Sequence, residues 1–283
     1  MQIDIGTHMH LENLISEKLG SLLGTRYRNC LIVIDSEFAQ TEKAKKIIRG
    51  ITEHYQTKII KTLSSNEPSY DNISAYLGQT EFSWFRDLDD SATSVVIGIG
   101  GGSAMDITKV LAALVTNPGD PLEYRGFDLL NNPGIDCYLV PTTAGTGSES
   151  SYNASLIDTI SNKKMGVNGR YMYATGSFLD PTIMLGCPRQ VALSSAVDAF
   201  VHCIEGFICK NANEISDGLA TKGIELIWKG FRVFEGDWDN LENWEALMIG
   251  AHIGGIVQMN SGSGIAAAIS YPLGVYHKIP HGI

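Results

Sequence analysis

The stretch Val95-Val-Ile-Gly-Ile-Gly-Gly-Gly-Ser-Ala-Met-Asp106-Ile-Thr-Lys109 decides the fold. A β-branched run ends in glycines and passes directly into helix-forming sequence, which is the middle of a βαβ unit. Glycines let the backbone come close to an anion. The helix start adds unpaired N–H groups and the positive end of the dipole. The turn from Gly98 to Ser103 therefore predicts a diphosphate-binding loop, with the Ser103 hydroxyl as a donor or helix cap. It departs from GxGxxG, because Ser103 holds the third glycine position, and from a Walker A loop, because no Gly-Lys-Ser/Thr follows.

Outward from this turn the pattern alternates. An amphipathic helix is expected over 10–24, carried by Leu11, Leu14, Ile15, Leu19 and Leu22. A buried strand follows at Cys30–Asp35, then helix over 37–55, strand at Lys58–Leu63, helix over 69–89, strand at Ala92–Gly98 and helix at Ala104–Thr116. Tyr138–Pro141 is one more strand, feeding the turn Thr142 to Ser148. After Pro188 the texture turns helical, over 189–210, 213–234 and 240–260. The expected architecture is α/β: a parallel-sheet, nucleotide-binding domain over 1–185, then an all-helical domain over 186–283.

Composition limits the function classes. The 283 residues are 44% hydrophobic and 18% charged, with a formal charge of −10. An acidic chain lacks the positive footprint of a nucleic-acid binder. No uninterrupted apolar run of about 18 residues stands out, so no membrane span is expected. The five cysteines form no CxxC pair. With no signal-peptide pattern at the N-terminus, a reducing, cytoplasmic setting is expected.

The motifs resemble those of the iron-containing (group III) alcohol dehydrogenases, relatives of glycerol dehydrogenase and dehydroquinate synthase. The matching segments are Gly100 to Lys109, Pro141-Thr-Thr-Ala-Gly-Thr-Gly-Ser-Glu149, Asp180-Pro181, Asp198-Ala-Phe-Val-His202-Cys-Ile-Glu205, and Tyr271-Pro-Leu-Gly274 leading to Pro280-His281-Gly282. Their order runs through essentially the whole chain. The resemblance implies an α/β domain and a helical domain with cofactor and divalent metal in the cleft between them. It implies that Gly100, Gly101, Gly102 and Ser103 hold the diphosphate, that Asp106 belongs to the same cofactor site, and that Thr142, Thr143 and Thr146 contact the nucleotide. Lys164, or Lys163 in the alternative register, matches a cofactor-contacting lysine. Asp35, at the end of its strand, can accept from ribose hydroxyls and would repel a 2′-phosphate, so NAD is favoured over NADP; helix capping is its alternative role.

Asp198 and His202 stand at i and i+4 of a predicted helix, so both side chains share one face. A carboxylate and an imidazole at that spacing suit one divalent cation, Fe2+ or Zn2+. The resemblance adds His281 as a third ligand. It also shows a departure: the position of a further histidine ligand is Ala267, and a substrate-side histidine position is Tyr271. Three ligands leave a position for water or substrate. Tyr271, as proton donor or cleft lining, and His277 are the remaining catalytic candidates, and Tyr152 and Asn153 are expected on the substrate side. His252 is read as a packed helix histidine.

The activity implied is NAD-dependent, metal-assisted hydride transfer between an alcohol, including a polyol, sugar or sugar acid, and nicotinamide, with a small alcohol or aldehyde as partner. A homodimer is what the resemblance suggests. Two alternatives stand beside it: a cyclase or lyase of the dehydroquinate synthase type, and a nucleotide-binding relative without metal catalysis, which Ala267 favours. Family members continue past Pro-His-Gly, so the helical domain is expected to be incomplete at Ile283.

Overall fold

In the computed structural model, residues 3–63, 67–88, 91–277 and 279 are described. Six parallel strands form the main sheet: β1 His8–Leu11, β2 Asn29–Asp35, β3 Gln56–Thr62, β4 Ser94–Gly100, β5 Cys137–Pro141 and β6 Gly176–Leu179, in the order β1-β6-β5-β4-β2-β3. The helices are α1 Ile15–Leu22, α2 Glu42–Thr52, α3 Tyr70–Leu77, α4 Thr80–Arg86, α5 Gly102–Leu114, α6 Pro181–Met184, α7 Arg189–Ile208, α8 Glu214–Gly230, α9 Leu241–Ser261 and α10 Ile265–His277.

The continuous apolar runs of β2 and β4 follow from covering the sheet on both faces. Alternation sends Leu31, Val33 and Val96 into a core with α3, α4 and α5. It sends Cys30, Ile32, Ile34, Val95 and Ile97 to the other face, against Ile15, Leu19, Ile47 and Ile51 of α1 and α2. A third core joins α7, α8 and α9 around Trp244, Cys203, Ile227 and Leu247. The expected α/β-then-helical architecture is what the structure has.

Three local expectations change. Residues 10 and 11 belong to a strand, because β1 pairs along β6 from His8–Gly176 to Leu11–Leu179. Leu14, at φ 63, breaks the chain between strand and helix, and Asp180 accepts the first N–H of α1, from Ile15, at 2.8 Å. The helix expected over 69–89 is two, interrupted at Gly78 and Gln79. β6 escaped notice because it is four residues long, Gly176-Ser-Phe-Leu179. By length and composition α7 passes for a membrane span, yet Ala196, Ala199 and Cys203 bury one side of it in the helical core.

Candidate active site

The glycine turn lies where β4 meets α5. Gly101 is the N-cap residue and α5 begins at Gly102. Ser103 therefore sits in the first turn of the helix and does not cap it, a correction to one of its two expected roles. A side chain at Gly100 would lie 2.6 Å from the Ala104 Cβ and 3.0 Å from the Asp35 Cβ, and one at Gly102 would lie 2.6 Å from Thr146. These positions stay glycine because the threonine turn and the end of β2 press against them. Thr142 donates its N–H to the Gly100 carbonyl at 3.0 Å, tying the two loops together. In this buried region Gly101, Gly102, Ser103, Thr142, Thr143 and Thr146 are the half-exposed positions. A Cβ on Gly101 would lie 3.4 Å from Thr143 and one on Gly102 2.6 Å from Thr146, so these hydroxyl side chains stand beside the first-turn N–H groups, which suits an anion.

Asp35 accepts from the N–H groups of Glu37 and Phe38 through Oδ1, at 3.0 and 2.8 Å. It closes its own turn and stands beside Gly100. Asp106, the other acidic residue of the expected cofactor site, is tied into the protein. Its Oδ1 accepts from Ser148 Oγ at 2.5 Å and its Oδ2 from the Ser155 N–H at 2.8 Å. With both oxygens bonded by the protein, Asp106 fastens the threonine loop. Lys109 completes this anchor: its ammonium donates to the carbonyls of Ser148 at 2.8 Å and Asn153 at 2.5 Å and lies 3.4 Å from Asp106. Burial pushes the Lys109 pKa down, and the Asp106 carboxylate opposes that shift. The sequence signalled Lys109 only as the end of a motif.

α9 links this loop to the helical half. A Cβ on Gly147 would stand 2.7 Å from the Gly255 backbone, and Ser150 Oγ donates to the His252 carbonyl at 2.8 Å. His252 is buried, with Nδ1 3.3 Å from Glu149 Oε1; it is the packed helix histidine expected. One residue before Gly255, Gly254 faces α7: a Cβ there would lie 3.5 Å from the His202 Cβ. The nucleotide loop and the Asp198–His202 pair thus rest on adjacent residues of one helix.

Asp198 Oδ1 and His202 Nε2 are 3.3 Å apart and both side chains are 9% exposed. Two ligands at about 2.1 Å from a tetrahedral ion are about 3.4 Å apart, so the pair fits a shared divalent cation in donor type and separation. Among the described residues no group of three His, Cys, Asp or Glu side chains forms a metal cage. His281 lies outside the described residues. His277 is exposed at the end of α10 and joins no such group. Glu205, one turn beyond His202, accepts from the N–H groups of Gly264 at 2.9 Å and Ala266 at 2.6 Å. It seats the first turn of α10, which carries Ala267 and Tyr271; its quoted motif gave no hint of that role.

Lys164, expected at the cofactor, stands on a short hairpin, Ile157–Asp158 with Lys163–Lys164. Its ammonium is 3.0 Å from Glu67 Oε1 and 4.7 Å from the centre of the Tyr271 ring. Lys164 and Tyr271 line a cavity of about 380 Å³ together with Tyr152, Asn153 and Met259. Tyr152 and Asn153, expected on the substrate side, are therefore at a cavity wall.

The family model described as iron-containing alcohol dehydrogenase matches residues 7–181, and its Fe-containing C-terminal counterpart matches 192–283. The chain is 32% identical to the sulfoacetaldehyde reductase of Bilophila wadsworthia (strain 3_1_6), over 95% of this chain and 67% of that protein. It is 31% identical to the 4-hydroxybutyrate dehydrogenase of Clostridium kluyveri, over 88% of this chain and 64% of that protein. A solved 1,3-propanediol oxidoreductase superposes with a TM-score of 0.87 at 25% identity, covering 100% of this chain and 72% of that one. The chain thus spans about two thirds of the length of the curated relatives it matches. The matches cover both halves of the molecule, and the chain belongs to the iron-containing alcohol dehydrogenase family.

Proposed function

We propose that this chain carries the cofactor- and metal-binding residues of an NAD-dependent dehydrogenase that interconverts a small alcohol and its aldehyde or ketone. The observation that carries the reading is the pair of adjacent glycines on α9: Gly255 carries the threonine loop and Gly254 carries His202. That arrangement brings a diphosphate-binding turn within reach of an acid–imidazole pair. The relatives named for sulfoacetaldehyde, 4-hydroxybutyrate and 1,3-propanediol agree with a small oxygenated substrate.

In this reading the N–H groups of Gly101 to Ala104 and the hydroxyls of Thr142, Thr143 and Thr146 hold the cofactor diphosphate. Asp35 receives the ribose hydroxyls and its charge rejects a 2′-phosphate. Asp106 and Lys109 keep the loop in position and exclude water behind it. Asp198 and His202, with His281, would hold the divalent ion. That ion, Fe2+ or Zn2+, supplies Lewis-acid polarisation of the substrate oxygen. Bound nicotinamide would supply the hydride acceptor, and the cleft residues would orient the substrate's carbinol carbon toward it. Tyr271 lines the substrate side. The two units divide near residue 185.

The test follows NADH consumption with a panel of aldehydes, before and after chelation and on return of Fe2+ or Zn2+, alongside metal analysis of the wild type and His202→Ala. Metal-dependent turnover and loss of bound metal in the variant are expected. NADH binding with no bound metal and no turnover would instead support the second reading, a nucleotide-binding relative without metal catalysis, which Ala267 on α10 favours.

A further inference from the structure

Ser150 belongs neither to the nucleotide turn nor to the acid–imidazole pair, yet it lies between them. The residue is 2% exposed. Its Oγ is 2.9 Å from the Gly147 carbonyl oxygen and 2.8 Å from that of His252. One hydroxyl proton is thus shared between the threonine loop and α9. On the loop side the contacts continue to the nucleotide turn. Ser148 donates its hydroxyl to Asp106 at 2.5 Å, and its carbonyl accepts from Lys109 at 2.8 Å. Both partners are on α5, whose first turn carries Gly102 and Ser103. On the other side the contacts continue to the metal pair. A Cβ on Gly254, two residues after His252, would lie 3.3 Å from the Ala199 carbonyl oxygen and 3.5 Å from the His202 Cβ. Ala199 and His202 share α7 with Asp198. An interior packed this closely has low compressibility and transmits strain, so a displacement of the threonine loop reaches α7 through α9.

We propose that Ser150 is a positioning residue that couples the two sites, so that a bound dinucleotide and a bound divalent ion strengthen each other's binding. This rests on the dehydrogenase reading above and adds a regulation of the same site. A ligand on the nucleotide turn orders α5, the threonine loop and, through Ser150, α9. α7 then packs on a partner that is already ordered, and the ion loses less entropy in ordering the rest. Such coupling is reciprocal: the factor by which the dinucleotide raises ion affinity equals the factor by which the ion raises dinucleotide affinity. Gly147 and Gly255 meet at the same junction through their backbones. Ser150 adds a side-chain hydrogen bond there that a single substitution removes.

The test uses ADP-ribose, which has the adenosine and diphosphate of the cofactor but no nicotinamide ring to stand beside the ion. Co2+ is titrated into the metal-free protein with and without ADP-ribose and followed by its visible absorption. ADP-ribose is titrated with and without Co2+ by calorimetry. Both affinities should rise by one common factor, about 5- to 50-fold. Ser150→Ala should bring that factor toward 1, whatever it does to either affinity alone. Ser150→Cys, of similar shape but a weaker donor, should keep part of it. A merely structural role would lower both affinities and leave the factor at its wild-type value. That result, or a wild-type factor of 1 with both ligands bound, would overturn the proposal; in the second case the dehydrogenase reading stands. Should Ser150→Ala fail to fold, Ser150→Cys decides: a factor below that of the wild type supports the coupling, and an equal one sinks it. If no Co2+ binds with or without ADP-ribose, the metal reading fails and the coupling fails with it.

Discussion

Gly147 and Gly255 meet backbone to backbone, so closely that a Cβ on Gly147 would lie 2.7 Å from the Gly255 Cα. Gly147 reaches this position with φ 61, which favours glycine. A methyl group at Gly255 would stand 2.3 Å from Ser150 Oγ and 2.4 Å from the Gly147 carbonyl oxygen. Gly255→Ala is therefore expected to destabilise the protein by about 1–3 kcal/mol and to weaken NADH binding by moving the threonine loop. Urea unfolding and NADH fluorescence titration measure the two effects. Loss of stability with unchanged NADH affinity would mean that the loop does not hold the cofactor.

Glu205 is expected to be a structural anchor of α10. Glu205→Ala leaves two N–H groups at the start of that helix without their carboxylate, a loss of about 1.5–3 kcal/mol for a bond to a charged group. Amide hydrogen exchange should speed up over residues 264–270 while the parallel sheet keeps its protection. Uniform loss of protection across the molecule would contradict this local role.

Cys203 makes stability sensitive to alkali. Burial pushes its thiol from 9.0 up to about 12. The folded state thus keeps a proton that the unfolded chain releases near pH 9. The contribution is fully present below pH 9 and is lost as pH rises toward 12, by about 1.4 kcal/mol per pH unit for one thiol. Cys137, also pushed up to about 12, acts in the same direction. Lys109, pushed down by burial, acts in the opposite one. Urea midpoints from pH 8 to 10.5 should fall, and Cys203→Ala should flatten the slope.

Asp35 should decide between the two nicotinamide dinucleotides. Asp35→Asn keeps an oxygen for the N–H groups of Glu37 and Phe38 but removes the charge that opposes a 2′-phosphate. The NADPH to NADH affinity ratio is expected to rise about tenfold, as for loss of one charge contact. An unchanged ratio would leave Asp35 with its capping role alone.

Much of this architecture is legible along the chain. Cys30 to Ile34 and Val95 to Ile99 are apolar at consecutive positions because their strands are covered on both faces, and only a parallel sheet between helix layers needs that. The glycine turn and the Asp198–His202 spacing are local in sequence, so a motif records them directly. β1 and β6 were not legible. Each is four residues long, and the two pair with each other across about 168 residues of chain, where no periodicity of their own reports it.

The sequence by itself determined the strand–turn–helix at Gly98 to Lys109, the change to helices after Pro188, and the face shared by Asp198 and His202. Each follows from backbone preferences and periodicity over a few turns. Only the tertiary structure decided what those residues touch. Asp106 became an anchor because Ser148 and Ser155 fold onto it. Lys164 met Glu67 and Tyr271. The nucleotide loop came within one helix turn of His202 through Gly254 and Gly255. These are contacts between distant segments, set by close packing and by the need to pair buried charge, and neither is written in local spacing.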